Sequence, residues 1–89
     1  MNISKLEKLV SNGESVSLEF KASTGQRSQA AKTVCAMLNG VGGFLVFGIT
    51  DKGEIIGQQV TSKTLEDIAA EIRRIEPPVF PDIETIQIG

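Results

Sequence analysis

Hydrophobic and polar residues follow two different periods along this chain, and each period predicts a type of secondary structure. Apolar residues three or four positions apart predict helices, whereas strict alternation predicts strands with one buried face. We predict helices over residues 3–12, 27–38 and 64–75, and strands over residues 15–21, 43–49, 54–60 and 83–88. This order predicts an α+β fold with a small mixed or antiparallel sheet of about four strands and two or three packed helices.

Turn and cap signals mark the ends of the predicted helices. Asn-Gly pairs at residues 12–13 and 39–40 supply the left-handed conformation that commonly ends a helix. Thr64, followed three residues later by Asp67, resembles a capping box and predicts the start of the third helix. Prolines at residues 77–78 cannot continue a helical hydrogen-bond ladder, so they end it.

The strand over residues 43–49 differs in pattern from the strand over residues 15–21. In residues 15–21 apolar and polar side chains alternate, which predicts one buried and one solvated face. In residues 43–49 both alternating sets are apolar, which predicts a central strand covered on both faces. A tight turn at Gly53 then predicts an antiparallel hairpin with residues 54–60.

The glycines that follow the second predicted helix do not have the order of a phosphate-binding loop. Such a loop places glycines between a strand and the start of a helix, where free N–H groups face the anion. Here Gly40, Gly42 and Gly43 come after a helix and before a strand. They therefore predict a helix stop and a sharp turn into a buried strand.

Composition limits the class of protein. The chain has 89 residues, one domain at most, and no segment reaches the roughly 18 apolar residues of a membrane span. Cys35 is the single cysteine, so no internal disulfide forms, and its place on an apolar helix face predicts a buried, unreactive thiol. Without any histidine, His-based catalysis and Cys/His zinc sites are excluded. Because the start of the chain has no secretory signal pattern, we expect a cytoplasmic protein. We also expect no cofactor.

Charge is distributed unevenly along the chain, although the net charge is only −2. Residues 15–50 hold one acid and three bases, whereas residues 51–89 hold eight acids and four bases. The three bases of the positive middle are Lys21, Arg27 and Lys32. Small imbalances of this kind are ordinary on solvated surfaces, but they also suit a surface that contacts phosphate groups.

Three carboxylates accompany the polar face of the first predicted strand. They are Glu14, Glu19 and Asp51. Charged residues on the outer face of a strand are most often simply solvated. If the three converge, they suit Mg²⁺ or Mn²⁺ as oxygen ligands, with Lys21 contacting a phosphate.

The segments ESVSLEFKAS and AAKTVCAMLNGVGGFLVFGITDKGEIIG resemble a known domain. They are similar to the DNA-binding domain called AlbA_2, also described as divergent AAA-4, of bacterial and archaeal regulator-like proteins and of the Schlafen core. The resemblance rests on E-x-x-x-x-E-F-K at residues 14–21, A-x-x-N-x-x-G-G at residues 36–43 and the hairpin that follows. One departure is at Leu38 and Gly40, where the family commonly has other residues, which alters the loop and not the fold.

The resemblance implies a nucleic-acid-binding module, expected to bind DNA, of a prokaryotic transcriptional regulator. It also implies that residues 1–89 are the N-terminal domain of a longer protein with ATPase-like or winged-helix segments. We expect Lys21, Arg27 and Lys32 to contact phosphates. A homodimer would double this positive surface.

Two alternatives stay open beside the binding module. In Schlafen nucleases, acids at positions similar to Glu14, Glu19 and Asp51 cleave RNA with a divalent metal, which makes a metal-dependent endoribonuclease using Mg or Mn the first alternative. The second is a structural or oligomerisation domain, because residues 43–49 have two apolar faces in a small chain. We favour a domain that is not an enzyme.

Overall fold

A computed structural model describes residues 1–88 of the protein. The elements are α1 (Ile3–Val10), β1 (Leu18–Lys21), a 3₁₀ helix (Thr24–Gln26), α2 (Arg27–Leu38), β2 (Phe44–Phe47) and α3 (Ser62–Ile72). β1 and β2 pair in parallel, with Leu18 beside Phe44 and Lys21 beside Phe47. A parallel pair needs a crossover connection, and α2 supplies it. The central unit is therefore β-α-β.

The α+β class is confirmed, but the predicted mixed or antiparallel sheet of about four strands is wrong. Within the described chain the sheet has two strands, and they are parallel. The predicted hairpin is reduced to one antiparallel bridge between Ile49 and Ile55. Beyond it, the carbonyl oxygen of Gly48 accepts the N–H groups of both Ile56 and Gly57, at 2.9 Å each. Because the two glycines have φ values of 88° and 70°, the chain turns away from β2 before a ladder forms.

The predicted strand over residues 83–88 also makes no ladder in the described chain. This segment lies beside β2, and both line the same cavity. Ile86 packs against the main hydrophobic cluster. Alternation in the sequence gave this segment an apolar side, but strand pairing also requires a neighbour in register.

The hydrophobic core lies between α1 and one face of the sheet. Its buried cluster contains Leu6, Val10, Leu18, Phe20 and Ile49. Phe20 and Ile49 are the most deeply buried large side chains, with 2% and 1% of their surface exposed. Alternation in β1 directs Glu19 and Lys21 to the opposite face, as the sequence pattern predicts.

The second layer is formed by α2 and α3, and it covers β2 incompletely. α2 packs against both β2 and α3. Its buried residues Ala30 and Met37 lie outside the cluster around Phe20, which indicates that α2 covers the other face of the sheet. The prediction that residues 43–49 are covered on both faces is wrong for β2, because Phe44 is 49% exposed and the rest of the strand is only half-buried.

Helix boundaries differ from the predictions at three of the six ends, namely the C-terminal end of α1 and both ends of α3. The bounds of α2 are as predicted, while α1 ends at Val10 rather than at residue 12. α3 begins earlier than expected, because the capping box is formed by Thr61 and Thr64 rather than by Thr64 and Asp67. Each of these two threonine hydroxyls accepts the other residue's backbone N–H, at 3.1 Å and 3.3 Å.

The helices are short. They contain 8, 12 and 11 residues, whereas a membrane span requires about 20. Among the described residues, no helix has both the length and the apolar character needed to cross a membrane.

Candidate nucleic-acid interface

The starts of α2 and α3 lie side by side, joined by a pair of hydrogen bonds. The side chain of Gln58 accepts the backbone N–H of Thr24 at 2.8 Å and donates to the Thr24 hydroxyl at 3.0 Å. Thr24 opens the 3₁₀ helix that leads into α2, and Gln58 lies in the segment that leads into α3. The helix-start surface, as we name this region, comprises Ser23, Thr24, Arg27, Gln58 and Lys63.

Arg27 and Lys63 supply the positive charge of the helix-start surface. The Lys63 side chain is 78% exposed, and its ammonium lies 2.9 Å from a carboxylate oxygen of Asp67. The hydrogen bond from Lys63 lowers the pKa of Asp67, and the nearby charge of Arg27 lowers it further. Arg27 therefore lies within electrostatic reach of this ion pair. Its guanidinium donates to the carbonyl oxygen of Thr24 at 3.3 Å, which holds it at the start of α2.

Backbone dipoles add to this positive charge. The N-terminal end of a helix carries a partial positive charge that favours anions within its first turn. Neither α2 nor α3 has an acidic residue in its first turn, and α2 begins without a side-chain cap. Two helix starts, one arginine and one lysine thus form a polar, positive surface suited to phosphate oxygens.

Lys21 lies in a more enclosed position than the sequence suggested. Its ammonium is 3.4 Å from a carboxylate oxygen of Glu19, and the two side chains are 15% and 29% exposed. They share the polar side of β1, as expected, but this side is largely covered and not an open, solvated face. Because Glu19 neutralises the ammonium, Lys21 has less charge available for a phosphate than an unpaired lysine would have.

Lys32 is exposed, but it lies on a different side of α2 from Arg27. Five residues along an α-helix correspond to a rotation of about 140°. The three bases expected to contact phosphates are therefore not gathered into one patch. The phosphate contacts predicted for Lys21 and Lys32 stay predictions.

The three carboxylates considered for a metal site have separate surroundings. Glu14 accepts the backbone N–H of Phe20 at 3.1 Å, and Glu19 pairs with Lys21. Asp51 is exposed in the turn after β2. Among residues 1–88, no group of three or more His, Cys, Asp or Glu side chains is placed to hold a metal ion. A catalytic or metal-binding role for the three acids stays a prediction.

Glu14 has a structural contact that can be tested. Glu14→Ala is expected to lower the free energy of unfolding by about 1 kcal/mol, because the half-buried N–H of Phe20 loses its acceptor. Glu14→Gln keeps an acceptor oxygen and is expected to lose less. Urea denaturation followed by circular dichroism measures both changes, and Glu7→Ala, an exposed acid on α1, is the control. Equal stability of Glu14→Ala and wild type would contradict the assigned contact.

Four residues of the helix-start surface were not among the predicted site residues: Ser23, Thr24, Gln58 and Lys63. The Ser23 hydroxyl accepts the N–H of Gly25 at 3.2 Å and so caps the 3₁₀ helix. Gln58 lies 34 residues from its partner Thr24, and no local pattern announces such a contact. Lys63 lies one residue before the predicted start of the third helix, whereas in the structure it belongs to the first turn of α3.

The fold and this surface define a small α+β domain built on a parallel β-α-β unit with a positive, polar surface at its helix starts. Residues 14–89 match the family model described as Schlafen, AlbA_2. The chain belongs to this family, as the E-F-K and Gly-Gly motifs suggested. No curated protein and no solved structure matches the chain.

Proposed function

We propose that this domain binds nucleic acid, with duplex DNA as its ligand, through the helix-start surface. The observation that carries the proposal is the juxtaposition of two helix starts with Arg27 and Lys63, joined by the Thr24–Gln58 hydrogen bonds. Arginine, lysine, hydroxyl groups and helix N-termini are the groups that proteins use to contact the phosphate backbone. Membership of the AlbA_2 family supports the same assignment.

The arrangement favours binding to phosphates over reading of base sequence. Arg27 presents a planar guanidinium that suits phosphate oxygens, and Lys63 presents a flexible point charge. The Lys63–Asp67 ion pair is exposed, so it contributes little and a phosphate can replace the carboxylate. The net charge of −2 opposes strong binding at a distance, so we expect weak affinity that depends steeply on salt. In a longer protein, such a domain would act as the DNA-binding part of a regulator.

Fluorescence anisotropy with a labelled DNA duplex over a series of salt concentrations tests the proposal. Each lost phosphate contact is expected to lower the steepness of log affinity against log salt by about 0.9. Arg27→Gln and Lys63→Gln are each expected to produce this change. Lys21→Gln and Lys32→Gln, measured in the same way, decide whether those two lysines also contact phosphates.

Lys8→Gln is the matched control, because Lys8 is an exposed base on α1, which packs on the other side of the sheet. It removes the same charge and is expected to leave the salt dependence closer to that of wild type. Absence of association even at low salt would refute the proposal. So would an unchanged salt dependence in the Arg27→Gln, Lys63→Gln double variant.

A further inference from the structure

A cavity of about 620 Å³ lies beside β2, and Thr24 and Gln58 of the helix-start surface line it, whereas Arg27 and Lys63 do not. One wall is β2 itself, and the others come from α1, α2, α3 and the segments 55–60 and 81–88. We call this cavity the β2 slot. Its lining is mostly aliphatic, with Val34, Met37, Leu65, Ile68, Ile72 and Ile86 among the contributing side chains.

The backbone edge of β2 that faces away from β1 is open. Phe44 and Gly48 donate their N–H groups to the carbonyl oxygens of Ser17 and Lys21, at 2.8 Å each. Because backbone groups alternate between the two edges of a strand, those of Leu45 and Phe47 face the other side. Within residues 1–88, these outward groups have no backbone or side-chain hydrogen-bond partner.

The outer edge of β1 is closed by the chain itself. The N–H of Leu18 donates to the carbonyl oxygen of Ser15, and that of Phe20 to the Glu14 carboxylate. Just past the strand, the N–H of Ala22 donates to the Gln26 side chain at 3.0 Å. Proteins commonly blunt a free sheet edge in such ways. The difference between the two edges singles out β2 as the one that can accept another strand.

The chemistry of the β2 slot defines its occupant. Unpaired N–H and C=O groups along a strand edge are matched by the backbone of an extended segment. Successive side chains of that segment point to opposite sheet faces, and aliphatic side chains line the slot on both. Charged lining residues are few, and Glu84 is already paired with the N-terminal ammonium at 3.1 Å. An uncharged, aliphatic strand is therefore complementary to the slot in both shape and charge.

A second copy of this domain does not fit the β2 slot through the same edge. The edge of β2 is recessed between α3 and the segment 81–88, which both line the slot. Two recessed edges cannot approach to the roughly 4.8 Å that separates paired strands. A single slender strand can enter where a second folded domain cannot.

We propose that the β2 slot binds an extended aliphatic peptide segment, which adds to the outer edge of β2 as a third strand. The segment pairs with the backbone of Leu45 and Phe47 and places its aliphatic side chains against α3 on one face and Ile86 on the other. A strand of about five residues spans the length of β2. The β2 slot shares Thr24 and Gln58 with the helix-start surface, but Arg27 and Lys63 do not line it, so its binding of a strand does not depend on phosphate contacts.

Amide hydrogen exchange measured by NMR on the 89-residue protein tests the proposal directly. The probe is a synthetic peptide with the central sequence valine-leucine-valine-isoleucine-valine and two lysines at each end for solubility. At near saturation, exchange of the Leu45 and Phe47 amides is expected to slow by about tenfold. The Phe44 and Gly48 amides already donate to β1 and are expected to change much less.

The control is the same peptide with N-methyl groups on alternate central residues, which removes its hydrogen-bond donors on one edge. The methyl groups can be placed on either of the two alternating sets of central residues. At least one of these two peptides is expected to give no protection of the Leu45 and Phe47 amides. Leu65→Arg, at the half-exposed rim of the slot, is expected to weaken binding, whereas Glu66→Arg on the same helix is not. No protection up to roughly 1 mM peptide would overturn the proposal. Protection that rises with protein concentration in the absence of peptide would also overturn it, because a second copy would then occupy the edge.

Discussion

Phe20→Ala is expected to lower the free energy of unfolding by about 3–5 kcal/mol, one of the two largest effects that we predict. Phe20 is 2% exposed and lies in the cluster formed by α1, β1 and Ile49. The substitution removes the transfer free energy of the ring and leaves a cavity that its neighbours fill only in part. Since small domains have total stabilities of roughly 5–15 kcal/mol, much of the margin is lost.

Urea denaturation followed by far-UV circular dichroism measures this loss. Phe80→Ala is the matched control, because Phe80 is 92% exposed and the same atoms are removed from a solvated position. We expect its unfolding midpoint to stay close to that of wild type. A Phe20→Ala protein with wild-type stability would show that the cluster around α1 is not the core.

Gly43→Ala is expected to destabilise the domain by about 3 kcal/mol or more, because it places a side chain where two backbones meet. Gly43 has a φ of 151°, immediately before β2. A Cβ atom at this position would lie 2.6 Å from the carbonyl carbon of Ser17 and closer still to its oxygen. That carbonyl accepts the N–H of Phe44 and begins the pairing of the two strands. Relief of the overlap would therefore separate β1 from β2 at their first contact.

Gly42→Ala is the control for this prediction. Gly42 also has a positive φ, 79°, but a Cβ there would meet no atom within 4 Å. It is expected to cost only the backbone penalty of about 1–2 kcal/mol. Thermal or urea unfolding of the two variants distinguishes the free-energy cost of a side chain at positive φ from the additional cost of its overlap with Ser17. Equal losses would mean that the close approach of Gly43 to Ser17 does not determine the pairing of β1 and β2.

Local patterns predicted the elements well wherever one segment decides its own structure. The bounds of α2 are as predicted, although the left-handed glycine after this helix is Gly42, with a φ of 79°, and not Gly40 of the Asn-Gly pair. The alternation of residues 15–21 placed Phe20 in the core and Lys21 on the opposite face. Strand pairing was predicted less well, because it depends on two distant segments. The turn at Gly53 suggested a hairpin, yet Gly48 and Gly57 limit it to a single bridge.

The candidate site shows the same limit. Charge along the chain pointed to Arg27, and the structure places Arg27 on the helix-start surface. The chain sequence did not reveal that Glu19 pairs with Lys21 or that Lys32 is turned away from Arg27. These outcomes depend on which face of the sheet α2 covers and on the rotation of the helix about its axis. Neither quantity is encoded within a single short window of sequence.

Membership of the AlbA_2 family, the α+β class and the alternating burial of β1 were determined by the sequence alone, because motifs and periodicity are local properties. The parallel pairing of β1 with β2, the meeting of Thr24 with Gln58 and the open edge of β2 were decided only by the tertiary structure. The physical reason is that hydrogen bonds and ion pairs between distant residues form only after the hydrophobic core has fixed where the elements lie.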